Sequence, residues 1–244
     1  MADLLSKITK RTVVNVCITT EEPVHVGSGK DAGVSSVDLP IVRDAAGKPV
    51  IPGSSIKGMF RAHFSRIVGS LDDASMNALN IRRTAGNLKD IEKEFLKGSR
   101  ENREEIIEKS LGTIDKLFGI SGLAAAIVFT DATVESKTVV TRKHVRIDPN
   151  TDRAMKGALF DLEAVPDMAK FKFTIVFDTI TDEEHYGDVN KFVEDYLFKQ
   201  LEAGMTMMIG GMKSRGYGRV SFKSQEKHTF TPAELLAGAR GEKI

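Results

Sequence analysis

Strand-like segments of this chain follow one another in close pairs rather than alternating with helices. Residues 125–134 (AAIVFTDATV) and 137–147 (KTVVTRKHVRI) form one such pair, and residues 158–180 contain ALFDLEAVP and KFKFTIVFDTI as a second. Their β-branched and aromatic content predicts strands. The pattern favours an α+β fold with a largely antiparallel sheet over a doubly wound fold.

Other segments complete this outline. Residues 11–20 predict another strand, and a helix is expected to begin in SSIKGMFRAHF with Ser54 or Ser55 as its N-cap. Residues 190–204 are amphipathic and end at a glycine, as a helix would. Residues 71–116 are highly charged and helix-prone, so we interpret them as a solvent-facing insertion outside the core.

Composition bounds the class of protein. The chain has 244 residues, 41% of them hydrophobic, which suits a single domain over residues 1–244. Its one cysteine, Cys17, excludes an internal disulfide and a two-cysteine metal site. We expect a cytoplasmic protein without a membrane segment, since no apolar window reaches the roughly 18–20 residues that a membrane helix needs.

Charge is distributed unevenly although the net charge is only +1. Residues 137–157 carry six Lys or Arg against two Asp, and residues 210–223 carry four against none. Residues 161–195 carry ten acidic residues against three basic ones. This segregation predicts a basic track for a polyanion. Ordinary solvated faces are the competing interpretation.

Several familiar sites are excluded. The stretch GSGKDAG lacks the spacing of a phosphate loop and of a dinucleotide-binding loop. GSSIKG lacks the spacing of a serine-hydrolase elbow, and the five histidines do not form pairs at helical spacing.

One remaining candidate is IPGSSIKGMFR, residues 51–61. Here Gly53 frees the backbone, and a helix N-terminus combined with two serines and two cations suits phosphate oxygens. The predicted phosphate ligands are Ser54, Ser55, Lys57 and Arg61. A capped helix with two solvated bases is the alternative.

A second candidate is GGMKSRGYGRVSF, residues 210–222. Its glycines permit close approach of a backbone, and its cations Lys213, Arg215 and Arg219 suit phosphates. Tyr217 is predicted to stack on a base. A flexible turn before the last strand is the alternative.

A family resemblance rests on motifs taken in order. These are VHVGSG, VDLPIVRDAAGKPVIPGSSIKGMFR, KLFG, IVFTDA, RIDPNTDRA, LFDLEAVP and GGMKSRGYGRVSF, which span about residues 12–222. In this order they resemble the signature segments of the RAMP superfamily. More narrowly, they are similar to the repeated backbone subunit of type III CRISPR effector complexes, of the Csm and Cmr kind.

The resemblance implies a ferredoxin-like, RNA-recognition-like antiparallel sheet with helices, a thumb hairpin at about residues 146–160 and a helical insertion at about residues 71–116. Such subunits stack as a filament of copies along CRISPR RNA, beside other type III effector subunits. Their thumbs push between the guide and a single-stranded target RNA and flip out a base pair at regular intervals.

The resemblance also implies functional residues. Asp38, just before the strand PIVRD, matches the catalytic aspartate, which would act with Mg²⁺ or another divalent cation. Cleavage through the RNA 2′-OH would leave a 2′,3′-cyclic phosphate and a 5′-OH. The predicted RNA-binding residues are His25, Ser54, Ser55, Lys57, Arg61, Arg142, Arg146, Lys213, Arg215, Tyr217 and Arg219.

Several alternatives stay open. Asp38 could only end a strand, and Asp31 in the same loop could be the functional carboxylate instead. The subunit could hold the guide without cutting. A stand-alone RAMP endonuclease that processes CRISPR RNA would rely on His25 or His63 without a metal, and a ferredoxin-like small-molecule enzyme is the least favoured option because no cofactor motif fits.

Overall fold

The fold is built on one curled antiparallel sheet. The structure, a computed structural model, describes residues 7–29, 37–134 and 136–238. The strands are β1 (Ile8–Thr20), β2 (Val50–Ile51), β3 (Ile127–Phe129), β4 (Ala132–Val134), β5 (Val140–Asp148), β6 (Arg153–Ala164), β7 (Lys170–Ile180), β8 (Met205–Met208) and β9 (Arg219–Phe230). Seven of them form a sheet in the order β2-β4-β7-β1-β9-β8, with β3 also paired to β7, and every pairing is antiparallel. The predicted α+β class with an antiparallel sheet is confirmed.

Helices occupy the long connections of the sheet. They are α1 (Gly53–Ser70), α2 (Asp73–Leu79), α3 (Leu88–Lys97), α4 (Arg100–Lys109), α5 (Thr113–Phe118), α6 (Glu183–Phe192), α7 (Lys199–Ala203) and α8 (Pro232–Leu236), with a π-helical stretch Val193–Phe198 between α6 and α7. The helix predicted for residues 190–204 thus begins earlier, at Glu183, and ends as expected at Gly204. Among the helices described, none has the length and apolar content that a bilayer span requires.

One face of the sheet carries the core. In β1 the side chains of Val14, Val16 and Ile18 are buried while the intervening residues are partly exposed, as expected for a strand with one packed face. Phe60 of α1 lies against this face and contacts the ring of Phe222 at a centroid distance of 5.4 Å. The helices therefore cover this face and leave the other partly open.

The start of α1 differs from the sequence prediction. No side chain of α1 caps it, because its N-cap is Pro52 and Ser54 and Ser55 lie within the first turn. Instead, the Gly53 amide donates a hydrogen bond of 2.7 Å to the Asp131 carboxylate. A Cβ at Gly53 would collide with the carbonyl oxygen of Phe129, so glycine is required at this close approach.

Residues 71–116 form helices with exposed charged faces as predicted, but their apolar residues belong to the core, so the expectation that this segment lies outside the core is wrong. Phe95 of α3 and Ile107 of α4 are buried in the same apolar cluster as the strands. The highly charged composition of this segment made its narrow apolar stripe difficult to recognise from the sequence. On α3 this stripe consists of Ile91 and Phe95, four residues apart.

A buried polar network fastens α5 to α6. The Lys116 ammonium, fully buried, donates to the Asp188 carboxylate at 2.6 Å and to the His185 carbonyl at 2.7 Å. The Thr113 hydroxyl donates to the other Asp188 oxygen at 2.6 Å. Burial lowers the pKa of Lys116, and the Asp188 carboxylate opposes that shift.

A two-stranded hairpin of β5 and β6 lies outside the main sheet. Residues 149–152 form its turn, where the Asp148 carboxylate accepts hydrogen bonds from the Asn150 amide at 2.9 Å and the Thr151 hydroxyl at 3.1 Å. The turn is confined to these four residues, because β6 begins at Arg153. The segment predicted as a thumb, residues 146–160, forms the outer part of this hairpin.

Candidate nucleic-acid interface

The segment that carries Asp38 is held between two neighbours. On one side, the Val42 amide donates to the Val26 carbonyl at 2.9 Å. On the other side, the Leu39 amide donates to the Asp161 carbonyl at 3.0 Å, and the Glu163 amide donates to the Leu39 carbonyl at 3.0 Å. Residues 38–43 are therefore tied directly to β6, the second strand of the hairpin.

Asp38 itself is exposed at the base of the hairpin. One of its carboxylate oxygens, Oδ2, accepts a hydrogen bond of 2.8 Å from the Asp161 amide. No described residue bonds to Oδ1, so that oxygen is available to a ligand or a proton. The bond to Asp161 also fits the alternative in which Asp38 ends a strand. Asp31 lies outside the described residues.

A divalent cation at Asp38 would depend on few protein ligands. Within residues 7–29, 37–134 and 136–238, no group of three or more His, Cys, Asp or Glu side chains is arranged to hold a metal ion. Mg²⁺ is commonly held by one or two carboxylates together with water and substrate phosphates. A single exposed carboxylate therefore fits such an ion, provided that RNA phosphate supplies further ligands.

His25 lies in the interior beside this segment. It is 6% exposed, and its Nδ1 lies 2.7 Å from the Glu163 carbonyl oxygen. A carbonyl only accepts hydrogen bonds, so Nδ1 carries the proton. A Cβ at Gly27 would lie only 3.0 Å from Nε2, so the His25 ring favours glycine at this position. The burial favours packing over direct RNA contact for His25.

The glycine-rich loop, residues 210–222, contacts the backbone at His25. The Gly211 amide donates to the His25 carbonyl at 2.8 Å, and the Gly218 amide donates to the Pro23 carbonyl at 2.9 Å. Gly210 has φ +79°, and a Cβ there would collide with the His25 carbonyl oxygen. These glycines let the loop approach the chain around His25 closely.

The cations of this loop differ in their availability. Lys213 and Arg215 lie on an exposed 3₁₀ turn, and in the part of the chain that the structure describes no carboxylate pairs with either. Arg219, by contrast, forms an ion pair of 2.7 Å with Glu21. The structure thus offers Lys213 and Arg215 to an anion more freely than Arg219.

Tyr217 is the clearest difference from the sequence prediction. It is 1% exposed and packs with Leu162 and Ala164 of β6, so its ring is not a surface on which a base can stack. Its hydroxyl lies 2.9 Å from His144 Nε2, and the Arg142 guanidinium lies 5.5 Å from its ring centroid. Tyr217 instead joins the glycine-rich loop to the base of the hairpin.

Tyr217→Phe should loosen this junction. The variant keeps the ring but leaves His144 without its hydroxyl partner, which costs about 1 kcal/mol of the free energy of unfolding. Thermal unfolding of the full chain measures this loss. Tyr196→Phe is the matched control, because it also removes one tyrosine hydroxyl, which donates to the Leu79 carbonyl outside this junction. Equal stability of Tyr217→Phe and wild type would show that the His144 contact contributes nothing.

The predicted ligands on α1 are only partly available. Ser54 is exposed, and Ser55 and Lys57 are partly buried. Burial lowers the pKa of Lys57, and the neighbouring Arg61 adds to the shift. Arg61 donates to the Asp115 carboxylate and, at 2.8 Å, to the Gly119 carbonyl. Its guanidinium is therefore committed to α5 and is not a free phosphate ligand, which the sequence spacing did not show.

The outer hairpin exposes apolar side chains beside cations. Val145, Ile147 and Leu159 are 47%, 57% and 60% exposed, and Val145 pairs with Leu159 across the strands. Arg142 and Arg146 are exposed on β5. Grouped exposed apolar residues mark interaction surfaces in soluble proteins. Together with Asp38 at its base, the hairpin forms a candidate surface for a stacked, negatively charged polymer.

Two features of this surface escaped the sequence reasoning. Glu163 links β6 to the Asp38 segment, and Asp131 accepts the hydrogen bond from the Gly53 amide at the start of α1. Neither belongs to a recognisable motif. The alternation in LFDLEA predicts only that Glu163 lies on the face opposite to the buried Leu162.

Comparisons with curated proteins give consistent relatives. The chain is 28% identical over 242 residues to the CRISPR system Cms endoribonuclease Csm3 of Methanocaldococcus jannaschii, covering 96% of this chain and 86% of that protein. It is 27% identical over 222 residues to the protein of the same name from Streptococcus thermophilus, covering 87% of each.

Solved structures share the fold. A chain of the type III-B Cmr-beta complex in its apo state matches with a TM-score of 0.57 and 14% identity, covering 87% of this chain and 96% of that chain. A chain of the Cmr-beta complex bound to cognate target RNA matches with a TM-score of 0.53 and 19% identity, covering 93% and 63%. The sequence model of the RAMP superfamily matches residues 17–221. Because that match spans most of the chain, including the Asp38 segment, the hairpin and the glycine-rich loop, this protein belongs to the RAMP superfamily.

Proposed function

We propose that this protein is a backbone subunit of a type III CRISPR ribonucleoprotein that binds CRISPR RNA and cleaves complementary target RNA at Asp38. The observation that carries the proposal is an exposed carboxylate at the base of a projecting hairpin whose outer part exposes apolar residues. The similarity to proteins named Csm3 endoribonucleases supports the same activity.

RNA carries its own nucleophile, so the protein mainly has to arrange the strand. Exposed apolar residues such as Ile147 and Leu159 would wedge between stacked bases, and the splayed strand would bring a 2′-OH in line with the scissile phosphate. Asp38 Oδ1 would accept the 2′-OH proton as the new oxygen–phosphorus bond forms. The 5′ oxygen leaves with a proton from solvent, and the products carry a 2′,3′-cyclic phosphate and a 5′-OH.

In the alternative role Asp38 would hold a divalent cation through the same oxygen instead of accepting the proton, with phosphate and water completing the coordination. Such an ion, when bound, would neutralise charge that develops on the phosphate oxygens. The proposed assembly contains further copies of this chain along the guide, together with other type III subunits.

Two other functions fit less well. A subunit that holds the guide without cutting would leave the exposed Asp38 carboxylate, one oxygen of which bonds to no described residue, without a role. A metal-free processing endonuclease would need an accessible histidine. His25 is buried, and His63 on α1 is only partly exposed.

The test of the proposal uses the chain assembled with its co-expressed partners and a defined guide RNA. A labelled target complementary to that guide should be cut in Mg²⁺ and left intact in EDTA, and an unrelated RNA should stay whole in both. Copurified guide RNA without any cutting would leave only the guide-holding function. Absence of guide RNA from the purified assembly would contradict both.

Lys213 and Arg215 should account for part of guide binding. Replacing both with Ala removes two cations that have no carboxylate partner among the described residues. The negative slope of log K against log salt should therefore become shallower by about 1.4, at about 0.7 per single-strand phosphate contact. Guide RNA titrations at several salt concentrations measure the slope. The double variant Lys93→Ala, Lys109→Ala changes the charge equally at residues paired with Asp90 and Glu105, and it should leave the slope unchanged. Equal slopes for both double variants would rule out this loop as an RNA contact.

A further inference from the structure

Glu163 joins three parts of the candidate site through four separate contacts. Its carboxylate oxygens accept hydrogen bonds from the Ile41 amide and the Arg43 guanidinium, each at 3.1 Å. Its backbone amide donates to Leu39 and its carbonyl accepts from His25. One residue of β6 therefore contacts both the segment that carries Asp38 and His25, whose backbone carbonyl binds the glycine-rich loop.

The environment of the Glu163 side chain makes these bonds strong. The side chain is 14% exposed, so water competes weakly for its oxygens, and the Arg43 partner carries a full positive charge. Ile41 forms an isolated antiparallel bridge with Gly27, and its amide, which donates to no backbone carbonyl among the described residues, finds its acceptor in the Glu163 carboxylate.

The side chains of Asp38 and Glu163 attach the segment to β6 at two points, in addition to the two backbone hydrogen bonds of Leu39. At one end the Asp38 carboxylate accepts from the Asp161 amide, and at the other end Ile41 and Arg43 donate to Glu163. Asp161 and Glu163 belong to the strand that continues outward from the main body to the turn of the hairpin. A displacement of that strand would therefore carry Asp38 with it.

We propose that Glu163 is a positioning residue, which locks the Asp38 segment to the hairpin strand so that RNA seated on the hairpin meets the carboxylate in a fixed place. This inference rests on the proposed function for its consequence in catalysis. It assigns Glu163 no contact with RNA. Its effect on the position of the segment is independent of whether the assembly cuts.

The decisive variant is Glu163→Gln, which preserves shape and one acceptor oxygen but loses the ion pair with Arg43. Glu163→Ala removes both acceptors and should have the larger effect. Glu194→Gln is the matched control, because Glu194 is also a partly buried carboxylate that bridges two cations, Lys10 and Lys227, on another part of the fold.

Two readouts on the assembled guide complex test the proposal. Amide hydrogen exchange of the peptide covering residues 38–43 should become at least about tenfold faster in Glu163→Gln, as expected when a charge-assisted bond is lost, and stay at the wild-type rate in Glu194→Gln. The single-turnover cleavage rate at saturating target should fall by about ten- to a hundredfold, because a small misplacement of a reacting group is costly, while target affinity changes less than about threefold.

The possible results separate the two proposals. Unchanged exchange in Glu163→Gln overturns the positioning role whether or not the assembly cleaves RNA. Faster exchange with an unchanged cleavage rate, in an assembly that Asp38→Asn inactivates, also overturns it, because Glu163 would then be structural only. If the wild-type assembly does not cut at all, the proposed function fails, and the exchange measurement alone decides whether Glu163 holds the segment.

Discussion

Asp38→Asn should lower the rate of target RNA cleavage by about 10²- to 10⁴-fold, the usual contribution of a positioned acid or base. The asparagine oxygen can still accept the hydrogen bond from the Asp161 amide, so the local structure should persist. What the variant loses is the negative charge that accepts a proton or holds a cation. Single-turnover cleavage of a labelled target by the assembled guide complex measures the loss.

Binding provides the control for this prediction. The affinity of the Asp38→Asn assembly for target RNA should equal that of wild type or slightly exceed it, because one negative charge near the phosphates is gone. Cleavage at the wild-type rate would reduce Asp38 to a residue that ends a strand. Loss of assembly in Asp38→Asn but not in Asp38→Ser would assign the defect to folding rather than to chemistry.

Lys116→Met should destabilise the fold by about 3–5 kcal/mol, the cost of leaving one member of a buried ion pair without its partner. Asp188 would keep only the Thr113 hydroxyl as a donor among its side-chain contacts described here. For a chain of this length the loss corresponds to a fall in Tm of about 6–20 °C. Scanning calorimetry of the full chain measures it.

A double variant separates the charge from the packing. In Lys116→Met with Asp188→Leu, no buried charge is left unpaired, and at least half of the lost stability should return, as found when apolar residues replace buried pairs. If the single variant loses less than about 1 kcal/mol, then the Lys116–Asp188 pair does not fasten α5 to α6 as the geometry indicates.

Prediction from sequence succeeded where a local pattern determines the structure. The run KFKFTIVFDTI alternates apolar and polar residues, and β7 occupies those residues, Lys170–Ile180, with alternate side chains buried. Gly204 ended its helix because only glycine readily adopts its φ of +89°. The antiparallel class is right although neither pair of adjacent strands forms, because β4 pairs with β7 rather than β5, and β6 pairs with β5 rather than β7.

It failed where a partner distant in sequence decides the role of a residue. Arg61 has the spacing of a phosphate ligand, but its guanidinium forms an ion pair with Asp115 of α5. Tyr217 lies among cations and glycines, yet the hairpin strand β6 buries it. Neither contact produces a periodic pattern in the sequence, so neither could be predicted from it.

We propose that Asp38 cuts a target RNA that the hairpin has splayed, and the positions of the cuts test this proposal. A labelled target RNA would be incubated with wild-type, Asp38→Asn and Asp31→Asn assemblies in Mg²⁺, and the cut positions and product ends would be determined. We predict regularly spaced cuts with 2′,3′-cyclic phosphate and 5′-OH ends that vanish only in Asp38→Asn. Cuts that persist in Asp38→Asn, or that vanish in Asp31→Asn alone, would show that Asp38 is not the catalytic carboxylate.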